Sequence, residues 1–249
     1  MPRERLDRWM VDHSLAATRE KAQALIMAGQ VLLNGQKAAK PGQLVPDNPR
    51  IELLGKLRFV SRGGLKLEGA LARWGISPLG MICGDFGSST GGFTDCLLQA
   101  GAARVHAIDT GTGQLDWGLR QDPRVVVREG VNARHLAPGE LGEALDLAVC
   151  DVSFISATMI APVMAAAVRA DTGRLIILVK PQFEVGRGQV GKGGIVRDPA
   201  LHAESCEKVR ACVAALGFET DIMESPITGA EGNKEFLLYG YRHTADRQK

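Results

Sequence analysis

The chain has 249 residues, 45% hydrophobic and 23% charged, which is enough to bury one substantial core and a small second one. No run approaches the ~20 apolar residues of a membrane helix, and the N-terminus Met1-Pro2-Arg3-Glu4-Arg5-Leu6-Asp7 lacks the apolar stretch of a signal peptide, so a cytoplasmic protein with no membrane partner is expected. The net charge is only +2, yet ten Lys/Arg face six acids in the first 60 residues. Such asymmetry fits a polyanionic partner, although a solvated charged face produces it too.

Residues 1–56 read as a compact module. A helix near Thr18–Gly29 has Thr18 as N-cap and Gly29 as its stop. Val31-Leu32-Leu33 and Ile51-Glu52-Leu53-Leu54 are short strand candidates, with a tight-turn signal at Asn34-Gly35 between them. Residues 57–63 form a polar linker, and a second domain spans 64–249. Its first helix, Leu65–Trp74, has Leu65, Leu67, Ala70 and Leu71 spaced for burial and Lys66 off that stripe.

From there strands and helices alternate. Strands are expected at Met81–Asp85, Val105–Asp109, Val125–Arg128, Leu147–Asp151 and Leu175–Lys180, and helices at Phe93–Ala100, Gln114–Arg120 and Ile155–Ala170. A helix near Leu201–Leu216 precedes two last strands, Glu219–Glu224 and Glu235–Tyr241. The pattern is that of an α/β fold with a mostly parallel, doubly wound sheet. Cys83, Cys96, Cys150, Cys206 and Cys212 include no C-x-x-C pair, which reads as buried reduced thiols rather than zinc ligands, and no metal is expected.

The sharpest local signal is Asp85-Phe86-Gly87-Ser88-Ser89-Thr90-Gly91-Gly92-Phe93-Thr94, a glycine-rich turn between the first strand and a helix. It is not G-x-G-x-x-G. With Asp109 ending the next strand, where a carboxylate reaches ribose hydroxyls, it points to an adenosine-containing ligand; alone it is only a tight turn with a helix cap. Gly186–Gly193 imitates a phosphate-binding loop but lacks the Ser/Thr after Lys192. It reads instead as a loop over a site, whose Arg187 and Lys192 meet phosphates. Asp151 and Lys180 each end a buried strand. A lysine after five apolar residues either snorkels to the surface beside Asp151 or is held in a partly desolvated cleft as a base.

At these residues the sequence resembles the TlyA family, a name shared by hemolysins and ribosomal RNA 2′-O-methyltransferases. Arg5-Leu6-Asp7, Thr18-Arg19-Glu20-Lys21-Ala22, Ala28-Gly29-Gln30-Val31 and Asn34-Gly35 through Lys40-Pro41-Gly42 resemble the RNA-binding module of ribosomal protein S-four. Ser61-Arg62-Gly63-Gly64-Leu65-Lys66-Leu67, the Asp85–Asp95 turn, Cys150–Ser156 and Val179–Glu184 resemble an FtsJ-type Rossmann-like class I methyltransferase domain. The resemblance implies a small α+β RNA-binding domain followed by a methyltransferase that acts on the ribose 2′-hydroxyl of ribosomal RNA, with cytidine as its nucleotide. It implies a catalytic set of Lys66, Asp151, Lys180 and Glu235. It also implies S-adenosyl-L-methionine held by Asp85, Gly87, Ser88, Ser89, Thr90, Gly91, Gly92, Phe93, Asp109, Asn132 and Asp151. RNA phosphates would meet Arg5, Arg19 and Lys40, with Arg62 and Arg134 nearer the reaction centre. Ribosomal RNA or a ribosomal subunit is the expected partner, with no obligatory protein partner. The alternatives are a different acceptor or RNA class, or a membrane-lytic hemolysin.

Overall fold

The protein's structure, a computed structural model, describes residues 4–54, 58–137, 139–229 and 232–242, apart from the side chain of Arg187. The chain divides into two compact units, Met1–Arg62 and Gly63–Lys249. Part of the expected 57–63 linker, at its first residue, lies outside the described residues, as does Lys56.

In the first unit, helices α1 (Leu6–Asp12) and α2 (Arg19–Met27) pack together beside a small antiparallel sheet of order β2-β1-β3. Its strands are β1 (Val31–Leu33), β2 (Gln36–Lys37) and β3 (Ile51–Leu53). Thr18 Oγ1 caps α2 by accepting from Lys21 N at 3.2 Å. Asn34 and Gly35 both have positive φ (53° and 79°), the geometry of a two-residue hairpin turn. That turn joins β1 to β2 rather than to the Ile51 strand. The sequence pattern misses β2 because its two residues are polar and exposed on both faces. Leu6, Met10, Ala22, Ile26, Val31 and Val45 form the core.

Asp7 lies within this unit with its side chain fully buried. It accepts from Arg5 Nε (3.0 Å) and Nη2 (2.8 Å), Arg19 Nε (3.1 Å) and Gln23 Nε2 (2.8 Å). The Arg5 guanidinium, then Gln23 and Arg19, holds the carboxyl well below the usual carboxylate range despite burial.

The second unit opens with α3 (Gly63–Trp74). It continues through β4 (Ile82–Phe86), α4 (Gly92–Gln99), β5 (Arg104–Ile108), α5 (Trp117–Gln121), β6 (Val125–Arg128) and β7 (Leu147–Cys150). It ends with α6 (Ala161–Ala167), β8 (Arg174–Val179), α7 (Pro181–Glu184), α8 (Pro199–Ala215), β9 (Glu219–Glu224) and β10 (Phe236–Tyr241). The seven strands run in the order β6-β5-β4-β7-β8-β10-β9, all parallel except β10, which is antiparallel to both neighbours. From β4 the chain winds outward to β5 and β6; from β7 it winds the other way to β8. Right-handed crossovers in opposite directions put α4 and α6 on opposite faces. Accordingly α3 packs on α4, while α8 packs on α6. Phe86, Ile108, Ile177, Val179, Met164, Val209 and Val213 share one of the resulting cores.

The single helix expected over Ile155–Ala170 is broken. Ser156 caps a 3-10 turn at Ala157–Met159, and α6 starts afresh at Ala161. Pro162 explains the restart, since proline fits the first turn of a helix but not its interior. Cys83, Cys96 and Cys150 are buried, Cys206 and Cys212 are half-buried, and none of the five is in a disulfide.

The depressed Asp7 pKa makes the first unit acid-sensitive. The stability it contributes is complete above its unfolded value of about 3.9 and is lost as pH falls below that. Asp7→Asn is expected to weaken this unit at neutral pH, and the gap to wild type should close below about pH 4. Backbone NMR signals of α1 and α2 across an acid titration check this.

Candidate active site

The glycine-rich turn leaves β4 at the switch point of the sheet. Gly87 takes φ +87°, and a Cβ there would sit 2.8 Å from the Asp151 carbonyl oxygen, so only glycine lets the turn pass this close to β7. Ser89 N donates to Asp109 Oδ2 (2.8 Å) and Gly111 N to Asp109 Oδ1 (2.7 Å). The carboxylate is thereby fixed just past β5, each oxygen keeping a second lone pair for a ligand.

A cavity of about 390 Å³ opens at this edge, within the usual size range of small-molecule sites. Of the residues expected to bind a cofactor, Gly87, Ser89, Asp109, Asn132 and Asp151 line it. Asp85, Ser88, Thr90, Gly91, Gly92 and Phe93 do not. Five of these six are buried behind the turn and shape it, Thr90 being exposed. Asp85 is the clearest case: fully buried, its Oδ2 accepts from Thr94 N (2.9 Å) and Thr94 Oγ1 (2.7 Å), tying the end of β4 to the start of α4. Asn132 Oδ1 also caps the turn at Ala133–His135. Thr110, Gln114, Val131, Val152 and Phe154 are among the other lining residues, none marked by a glycine or strand-end pattern in the sequence. The paired backbone donors holding Asp109, the absent Cβ at Gly87 and the cavity's size suit an adenosine-bearing ligand.

Beside the cavity stand two ion pairs. Lys180, directly after β8, has Nζ 2.6 Å from Asp151 Oδ1, directly after β7, and donates to Ser153 Oγ at 2.8 Å. Lys66 Nζ donates to Glu235 Oε2 at 2.6 Å, with their side chains only 10% and 2% exposed. The register Phe236↔Val179, continued one step, sets Glu235 alongside Lys180. Lys66 is therefore not off the buried stripe of α3, as its position among the leucines suggests; it is buried and Leu65 is only half-buried. The error has a physical cause, since an internal carboxylate 169 residues away makes room for the lysine and no local pattern announces it.

The loop after β7 holds further unforeseen features. Phe154 has φ +69° and is 88% exposed, its ring 5.3 Å from that of Phe183. Lys180 Nζ lies 5.8 Å from the Phe183 ring centre. Buried Glu184 accepts from Ser156 Oγ (2.5 Å) and Ala157 N (2.6 Å), and Lys208 Nζ is 3.1 Å from it.

Of the residues expected to meet RNA, Arg5 and Arg19 are locked on Asp7 with about half their side-chain surface exposed. Lys40, Arg62, Arg134 and Lys192 are exposed, and Arg134 also lines the cavity. The Arg187 side chain lies outside the described part.

Residues 59–242 match the FtsJ-like methyltransferase family and residues 4–51 the S4 domain. Over 240 residues the chain is 45% identical to the 16S/23S rRNA (cytidine-2'-O)-methyltransferase TlyA of Mycobacterium tuberculosis, covering 95% of this chain and 89% of that one. The chain belongs to the TlyA family of FtsJ-like methyltransferases. Hemolysin A of Brachyspira hyodysenteriae is 41% identical over 94% of this chain and 98% of its own. A solved hemolysin-named structure from Streptococcus thermophilus superimposes with a TM-score of 0.76 at 46% identity, covering 97% of this chain and 89% of that one. The TlyA-family architecture here is a mostly parallel Rossmann-like methyltransferase sheet preceded by an S4 domain, and membership implies use of S-adenosylmethionine.

Asp85 generates a test of the site's frame. Burial, reinforced by the nearby Asp151 and Asp109 charges, pushes its carboxyl up to about 7 against the Thr94 hydrogen bonds. The folded state then keeps a proton that the unfolded chain gives up, so stability falls as pH rises from about 4 to about 7 and levels off above. Asp85→Asn removes this titration. Thermal midpoints of both proteins at pH 5 and pH 8 should show the wild type losing ground to the variant at the higher pH.

Proposed function

We propose that the chain methylates the ribose 2′-hydroxyl of ribosomal RNA, with cytidine as the nucleotide, the reaction named for its Mycobacterium relative. The observation that carries this reading is the Lys180–Asp151 contact of 2.6 Å at the mouth of the cavity beside the glycine turn. A ribose hydroxyl needs its proton removed, and a lysine at the rim of an apolar sheet edge is suited to that work. The working place follows from the substrate: among ribosomes, in the cytoplasm.

In this reading Gly87, Ser89, Asp109, Asn132 and Asp151 hold S-adenosylmethionine, with Asp109 taking the ribose hydroxyls of its adenosine. Bound there, it supplies an electrophilic methyl on a sulfonium. Lys180 Nζ, neutral at the moment of reaction, accepts the proton of the acceptor hydroxyl, and Asp151 stabilises the ammonium that results. Lys66, held in place by Glu235, orients Lys180 and the acceptor hydroxyl and stabilises charge developing on the ribose oxygen. Phe154 presents an open aromatic ring at the cavity mouth, the kind of surface on which an unstacked base rests. Alignment of the reactants supplies much of the acceleration.

The S4 domain would bring the RNA. Arg5 and Arg19 share a buried carboxylate, so their outward N–H groups form a fixed cationic pair for phosphates. The hemolysin names among the relatives suggest membrane lysis, but among the described residues no helix is long and apolar enough to cross a membrane.

The deciding measurement is transfer of labelled methyl from S-adenosylmethionine to unmodified ribosomal subunits, with mass spectrometry of the digested RNA. A 2′-O-methylated nucleoside is expected. Lys180→Ala should abolish its formation while cofactor affinity stays within about twofold. Loss of both together would move Lys180 from catalysis to cofactor binding. For RNA affinity, the slope of log binding constant against log salt should shrink by about 1.5 in the Arg5→Ala/Arg19→Ala protein, since each phosphate contact contributes about 0.7–0.9. An unchanged slope would remove these arginines from the interface.

A further inference from the structure

We infer that Ser153 is a positioning residue for the proposed base: its hydroxyl fixes the direction in which Lys180 exchanges its proton. The inference rests on the proposed role of Lys180 and deepens it. A tetrahedral amine nitrogen has three directions besides its bond to Cε. At Lys180 one of them is given to Ser153 Oγ, the hydrogen-bonded partner at 2.8 Å, while Asp151 Oδ1 stands 2.6 Å away as an ion-pair contact outside hydrogen-bond geometry. When Lys180 is neutral, one N–H stays on Ser153 Oγ and fixes the rotation about Cε–Nζ, and the adjacent Asp151 carboxylate keeps the lone pair to the side away from it. Without Ser153 the amine rotates about Cε–Nζ and spends most of its time with the lone pair misdirected, which costs rate without touching binding.

The position of the serine is itself imposed. The chain from Asp151 to Ala157 is tied to the segment Lys180–Glu184 at both ends. At one end Lys180 holds Asp151 and Ser153. At the other, Glu184 accepts from Ser156 Oγ and Ala157 N and is backed by Lys208 at 3.1 Å. Between the ties Phe154 is forced into the left-handed region at φ +69°, where a bulky side chain is strained. A loop held in this way keeps the Ser153 hydroxyl at a fixed height above Lys180. The base and its orienting partner thus come from adjacent parallel strands, and Glu184 sets the spacing between the two segments.

The test compares wild type, Ser153→Ala, Ser153→Thr and Lys180→Ala in full-length protein. With ribosomal subunits as acceptor, Ser153→Ala should lower kcat about tenfold with both KM values within about twofold, and Ser153→Thr, which restores a hydroxyl, should recover most of the loss. In the protein alone, NMR of ¹³C-labelled lysine should show the Lys180 ε-methylene signal, identified by its absence in Lys180→Ala. Ser153→Ala should shift that signal and Ser153→Thr return it. An unchanged kcat, or an unmoved Lys180 signal, in Ser153→Ala overturns the inference. So does a loss that Ser153→Thr fails to restore or that raises KM in parallel, because loop packing would then be the cause. No methylation by the wild type would remove the base role and the positioning role together, an outcome distinct from an active wild type with an indifferent Ser153→Ala.

Discussion

Two adjacent parallel strands that wind away from each other impose most of what this molecule can do. β4 and β7 are hydrogen-bonded neighbours, yet the chain leaves one toward β5 and the other toward β8. Their carboxyl ends therefore part and leave a crevice that neither crossover helix covers. The glycine turn, Asp109, Asp151 and Lys180 each follow directly on a strand that ends there, so four segments distant in sequence arrive within side-chain reach. The antiparallel β10 adds a fifth from the opposite direction, delivering Glu235 at its start rather than at its end.

That geometry explains which parts of the site could be read in advance. Lys180 and Asp151 were legible because a charged residue closing a run of buried strand residues is anomalous wherever it occurs. The glycine turn was legible because positive φ selects glycine. Lys66 and Glu235 were not: each looks like ordinary surface charge in its own segment, and only the pairing of α3 with the start of β10 makes both internal. Only the resemblance to a family points to them, and no local pattern does. Ser153, Phe154 and Glu184 were legible only as letters of a family motif, since hydrogen bonds between two loops leave no periodicity. The same limit appears in the fold: the strand and helix alternation was plain, but the break at Pro162 and the two-residue strand β2 depend on single residues that periodicity averages away.

The first unit makes its cationic surface by an opposite device. The methyltransferase core pairs a lysine and a carboxylate in the interior, whereas the S4 domain buries only the carboxylate and leaves its arginines half in water. A buried anion with four donors orders the guanidinium groups and cancels only one of their two charges, so the cluster still projects a positive field outward. Gly42 belongs to this arrangement, because a Cβ there would lie 2.9 Å from Arg5 Nη1.

The buried thiols have a consequence for how the sheet can be watched. Cys83 and Cys150 lie inside β4 and β7, the two strands that frame the crevice, and burial pushes both thiols up to about 12. At neutral pH only about one in 10⁵ would be ionised even if a reagent could reach them. Alkylation of either cysteine thus counts the moments when the centre of the sheet comes apart, and a ligand that braces the crevice should lengthen the interval between them.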